Sequence, residues 1–124
     1  MTEGYKFQKL YVYQLALDYI DTIYTITNRL PDLERYNLVS QTQRASTSIV
    51  LNIAEGSTGQ SDAEQRRYLS YAIRSYLETI ACLDIIDRRE YLPTNEINLI
   101  RSKGHKLFVK LIALQKSLRK NRNS

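Results

Sequence analysis

Two stripes run side by side along residues 38–56. Leu38, Ala45, Ile49 and Ile53 recur at helical spacing and form an apolar face. Gln41, Arg44, Ser48, Asn52 and Glu55 recur at steps of three and four and lay a wholly polar face along the same rod. Such an ordered mix of amide, guanidinium, hydroxyl and carboxylate predicts a helix that touches neighbours on two sides. The pattern spans residues 38–55, with Asn37 as N-cap or Ser40 and Gln43 as a capping box, and with Gly56 as the residue just past its end.

Three further helices follow from the same periodicity. Val12, Leu15, Ala16, Tyr19, Ile23 and Ile26 predict one over 10–29, ended by Leu30-Pro31 because a residue before proline avoids the α region. Leu69, Ala72, Ile73, Tyr76, Ile80, Leu83 and Ile86 predict one over 62–90, opened by the capping box Ser61-Asp62-Ala63-Glu64. The last, over 95–119 with Thr94 as cap, has the strictest register: Ile97, Ile100, Gly104, Leu107, Leu111, Leu114 and Leu118 alternate steps of three and four. About 25 residues at 1.5 Å each make this a rod of roughly 37 Å. Gly104 breaks the apolar series at a cost of about 1 kcal/mol relative to alanine, which the close approach of a neighbouring helix would explain.

Four long rods with short links pack best antiparallel, as an all-α, up-down-up-down four-helix bundle forming one domain over residues 1–124. Four Gly and two Pro in 124 residues leave little room for any other architecture. No basic-then-apolar leader occupies Met1–Leu15 and the apolar runs are short, so the expected location is the cytoplasm and no membrane contact is expected. The single Cys82 fits a reducing compartment and reads as a small buried apolar residue.

Charge changes the picture more than composition does. Residues 98–124 hold Arg101, Lys103, Lys106, Lys110, Lys116, Arg119, Lys120 and Arg122 and no acid, a charge of +8; the rest of the chain carries 10 bases and 13 acids, a charge of −3. A segment so biased, ending in the basic tail 116–124, is suited to a polyanion, and these eight residues are the candidate nucleic-acid contacts. Catalytic signals are missing. One His and one Cys cannot supply the usual zinc ligands, no phosphate-binding glycine loop is present, and Ser48 has no His to activate it. His105 lies inside the basic run and is expected to face solvent. The expectation is therefore a non-enzymatic protein with no metal and no cofactor.

The polar stripe is expected to be architectural. Arg44 and Glu55 could pair with Glu78 and with Arg67 or Arg74 on the third helix, and Asn52 and Ser75 could satisfy groups between helices or subunits. Ten Tyr against two Phe and no Trp point toward contact surfaces that favour an amphipathic ring.

The run Gln41-x-x-Arg-Ala-x-x-Ser-Ile-x-x-Asn-Ile-Ala-Glu-Gly56, followed by Ser61-x-x-Glu64, Arg67-Tyr-Leu69, Ala72-Ile-x-Ser75 and Glu78, resembles the bacterial four-helix-bundle proteins encoded in 23S rRNA intervening sequences. Phe7-x-x-Leu10-x-Val12-Tyr-Gln14-x-Ala16, Tyr24, Leu30-Pro31 and Glu34-x-Tyr36-x-Leu38 extend the resemblance over nearly the whole chain, with Tyr13 where the family commonly has Trp. The resemblance implies a left-handed bundle and a ring-shaped homo-oligomer of five subunits. It extends to the accessory proteins of diversity-generating retroelements, which bind nucleic acid and a reverse transcriptase through basic surfaces. Two functions are thus expected in order: an oligomeric RNA- or nucleic-acid-binding protein, and an interaction scaffold whose partner is a protein such as a reverse transcriptase.

Overall fold

A computed structural model describes residues 4–59 and 61–123, the side chains of 119–123 excepted. Four α-helices make up the bundle: α1 Tyr11–Thr27, α2 Ser40–Gly56, α3 Asp62–Arg88 and α4 Thr94–Asn123. No strand occurs among the described residues. Cross-helix bonds fix the directions. Gln43 on α2 reaches Thr27 at the end of α1, and Gln65 near the start of α3 reaches Ser57 just past α2. Arg101 and Gln115 on α4 reach Asp84 and Ser70 on α3, in reversed order along the chain. Every neighbouring pair is antiparallel, and α4 closes against α1.

Most of the predicted core positions are buried, while Leu15, Ile73, Ile80 and Leu114 are only partly covered and pack against its edge. Ile23, Ile49, Ile53, Leu83, Ile86, Ile97, Leu107 and Leu111 are fully covered, and Cys82 is buried with its thiol pKa raised by desolvation. Gly104 has the reason expected of it. A Cβ there would stand 2.9 Å from the rings of both Tyr19 and Tyr76. These rings lie against each other at 5.8 Å in the centre of the bundle. Thr79 gives its only hydroxyl hydrogen to the carbonyl of Tyr76, so the Tyr19 hydroxyl donates to Thr79 Oγ1 at 2.8 Å. Burial raises the Tyr19 pKa and keeps that proton in place.

The helix ends depart from expectation in several places. α2 has no cap at Asn37 or Ser40. A 3₁₀ turn at Asp32–Glu34 runs through a π-helical turn at Arg35–Val39 directly into it. Asn37 instead donates to Glu34, which also accepts from the Tyr91 hydroxyl at 2.8 Å. These two bonds, Tyr91 first, hold the Glu34 carboxyl below the usual range. Gly56 is the last helical residue rather than the one beyond it. It is glycine because the start of α3 comes close: an added Cβ would meet the Tyr68 Cβ at 2.7 Å. Thr94 bonds Asp87 instead of capping α4. Ser61 does cap α3, accepting from the Glu64 backbone. Helix α1 stops at Thr27 and α3 at Arg88, both short of the prolines, while α4 runs on through the expected tail to Asn123.

The end of α3 carries strain. Tyr91 N–H bonds the Ile86 carbonyl and Glu90 N–H that of Asp87, the pattern of a Schellman stop, and Glu90 has φ +59°. A left-handed residue with a Cβ costs on the order of 1 kcal/mol that glycine avoids. Glu90→Gly is expected to raise the melting temperature of the protein by a few degrees. Unchanged or lower melting would show that Glu90 is at ease there.

Candidate nucleic-acid interface

The antiparallel order gathers the start of α1, the end of α2, the start of α3 and the end of α4 at one end of the bundle. Lys6, Lys9, Arg66, Arg67, Lys106, Lys110 and Lys116 belong to that end, against Glu55, Asp62 and Glu64. The eight basic candidates on α4 divide accordingly. Arg101 is half-buried and ion-paired with Asp84 at 2.8 Å. Lys103 donates to Thr22 at 3.1 Å, in a groove between α1 and α4 that Asp18, Asp21 and Glu96 also line. Both are engaged with neighbouring helices along the N-terminal part of α4. Lys106, Lys110 and Lys116 are exposed and lie beyond that groove. Arg119, Lys120 and Arg122 lie outside the described side chains.

Sequence reasoning missed Tyr11. Its ring opens α1, is 53% exposed, and lies within 5.8 Å of the Lys106 ammonium and 6.0 Å of the Lys110 ammonium. The signal was available only jointly: lysines four residues apart in the middle of the last helix, and an antiparallel first helix to set Tyr11 beside them.

The polar stripe separates into two parts. Asn52 donates to the Ser48 carbonyl at 2.8 Å and hydroxyl at 3.1 Å, and Ser75 donates to the Ser48 hydroxyl at 2.9 Å, joining α2 to α3. Gln41, Arg44 and Glu78 surround this bridge at a polar recess. The expected charge pairs across the helices do not form. Arg67 binds Glu64 on its own helix at 2.6 Å, Glu55 is exposed, and the described ion pairs are Arg67–Glu64, Arg101–Asp84 and Arg29–Glu96. The physical reason is exposure: Arg44, Glu55, Arg67 and Glu78 remain in water in the single chain, so no desolvation compels them to pair.

A third surface is apolar. Between α3 and α4, Leu77, Ile80 and Phe108 line a groove with Tyr76, rimmed by Arg101, Ser102 and His105. Leu77 is half exposed, and His105 faces solvent as expected. Among the described residues no three His, Cys, Asp or Glu side chains converge as a metal site requires, and no helix is long and apolar enough to cross a membrane.

The fold has a solved counterpart. A protein of unknown function from the S23 ribosomal protein family of Bacteroides thetaiotaomicron VPI-5482 superposes with a TM-score of 0.78 at 25% identity, over 85% of this chain and 98% of that one. No curated protein matches the chain. The sequence profile of the 23S rRNA-intervening sequence proteins matches residues 8–121, which include all of α1, α2 and α3 and most of α4. Family membership therefore rests on the whole bundle and not on one motif, and the chain belongs to the 23S rRNA-intervening sequence protein family.

Proposed function

We propose that this protein is a non-enzymatic, oligomeric nucleic-acid-binding protein, with RNA as its expected target. The observation that carries the reading is the placement of Lys106, Lys110 and Lys116, exposed and free of acidic neighbours on their own helix, on the side of the bundle that also holds Lys6, Lys9, Arg66 and Arg67. Five copies in a ring would multiply the +8 segment to about forty charges, enough for strong phosphate binding. Fluorescence anisotropy with labelled structured RNA, duplex DNA and single strands, each titrated with salt, tests it. The expected result is measurable affinity at low salt, little sequence preference, and log affinity falling linearly with log salt. No binding at low salt to any of these probes would overturn it.

The oligomer in this proposal is a closed ring of five, a number supported by the family resemblance. The α3–α4 groove supplies an apolar surface for such a contact, and the charged part of the α2–α3 stripe supplies a polar one. Leu77→Arg puts a charge into the groove from a half-exposed position, so the fold should persist while assembly fails. Sedimentation should then show the variant as monomer and the parent as oligomer. A parent that sediments as a monomer at tens of micromolar removes the ring from the proposal. The groove then favours the second reading, a scaffold whose apolar face receives a different protein.

A further inference from the structure

We infer that the face shared by the first turn of α1 and the middle of α4 is a stacking site for unpaired nucleotides, in which Tyr11 takes a base and Lys106 and Lys110 take the flanking phosphates. The inference rests on the nucleic-acid reading above and narrows it from phosphate attraction to single strands.

Three independent observations meet at this place. The first is the ring itself. Tyr11 lies at the surface with two ammonium groups beside it, at 5.8 and 6.0 Å. That separation is at the outer reach of a cation–π contact, so the lysines are loosely held and their donors can turn to a phosphate without breaking a strong bond. Every base offers a π-face, so an accessible aromatic ring flanked by cations takes single strands with little regard to sequence.

The second is the absence of opposing charge. Between Tyr11 and Asp18, α1 carries no acid, and α4 carries none after Glu96. Helix α1 also begins without a side-chain cap and without an acidic residue in its first turn, so the positive end of its dipole is unopposed at Tyr11. The third is the boundary. Farther along the same α1–α4 face, Asp18, Asp21 and Glu96 line the groove into which Lys103 is drawn. These carboxylates repel phosphate and confine a bound strand to the Tyr11 end.

A duplex hides the faces of its bases, so it can use the lysines but not the ring. This difference gives the test. Anisotropy is measured on the full chain with an unstructured RNA 12-mer, the DNA 12-mer of the same sequence, and the corresponding DNA duplex. Tyr11→Leu should weaken single-strand binding by roughly five- to a hundredfold, the range for loss of one stacked base. Tyr11→Phe, which keeps the ring, should stay close to the parent. Duplex binding and thermal melting should be unchanged in both. Tyr24→Leu is the control, because Tyr24 on α1 is also exposed but has Asp21 three residues before it; it should bind single strands as the parent does. Equal losses on RNA and DNA place the contact on base and phosphate alone, and a loss on RNA only assigns an added sugar contact; either supports the site. A Tyr11→Leu protein that binds single strands as the parent does, or loses duplex binding equally, overturns the stacking site and leaves the broader reading standing. A parent that binds none of the three probes overturns both.

Discussion

Truncating Leu107 to alanine is expected to remove about 2–5 kcal/mol of stability. Leu107 is fully covered and sits one turn from Gly104, where α4 packs against the Tyr19–Tyr76 pair. Long helices and close-packed rings leave little scope for the surroundings to collapse into the space, which is the condition for the upper part of that range. A domain of this size has a total stability of roughly 5–15 kcal/mol, so the loss is a large share of it. Leu111→Ala should behave alike, while Val109→Ala, from an exposed position on the same helix, should stay within about 0.5 kcal/mol of the parent. Urea melts give the comparison as a shift in midpoint at constant slope. A Leu107 variant melting with the Val109 variant would show that the seam is not where the bundle is held.

Replacing both Lys106 and Lys110 by glutamine is expected to have the largest effect on binding. A hydrogen bond to a charged group contributes on the order of 1.5 kcal/mol or more, about tenfold in affinity, so losing two should cost about a hundredfold at low salt. The dependence of log affinity on log salt should flatten by about two for duplex DNA, one for each phosphate contact removed. Helicity and assembly should persist, because both side chains are exposed. The informative comparison is Arg101→Gln with Lys103→Gln. These remove the same number of charges, but from positions committed to Asp84 and to the acidic groove. Their binding should remain near that of the parent. Equal losses from the two pairs would mean that total charge, and not its placement, governs the interaction.

Periodicity made most of the fold legible. The apolar stripes of four segments correspond to the buried faces of α1 to α4, and Gly104 could be read as a close-approach position because it interrupts an otherwise strict seam. What was illegible depended on contacts distant in sequence. Asn37 has the chemistry of a cap, yet Glu34 takes its amide, because Tyr91 from the link between α3 and α4 anchors that carboxylate and the backbone winds through a π turn around it. Gly56 looked like a helix stop because its commonest use is a left-handed residue, whereas here the crowding of Tyr68 requires it. The charged members of the polar stripe suggested pairs because opposite charges lie on adjacent helices; whether water remains between them is a property of the surface and not of the string. The candidate interface was half visible for the same reason. Eight bases in a row of 27 residues are conspicuous, but only the antiparallel packing shows that Arg101 and Lys103 stand among carboxylates and that Tyr11 stands among the others.

The separation of charge along the bundle has a kinetic consequence. A body that is basic at one end and close to neutral along the opposite half carries a permanent dipole, and a phosphate chain exerts a torque on it before any contact is made. The molecule is turned to face its ligand during approach, which speeds productive encounter and is lost as salt shortens the reach of the field. Lys106 and Lys110 therefore act chiefly on the rate of association, whereas the ring of Tyr11, which has no field of its own at a distance, acts on how long a bound strand remains.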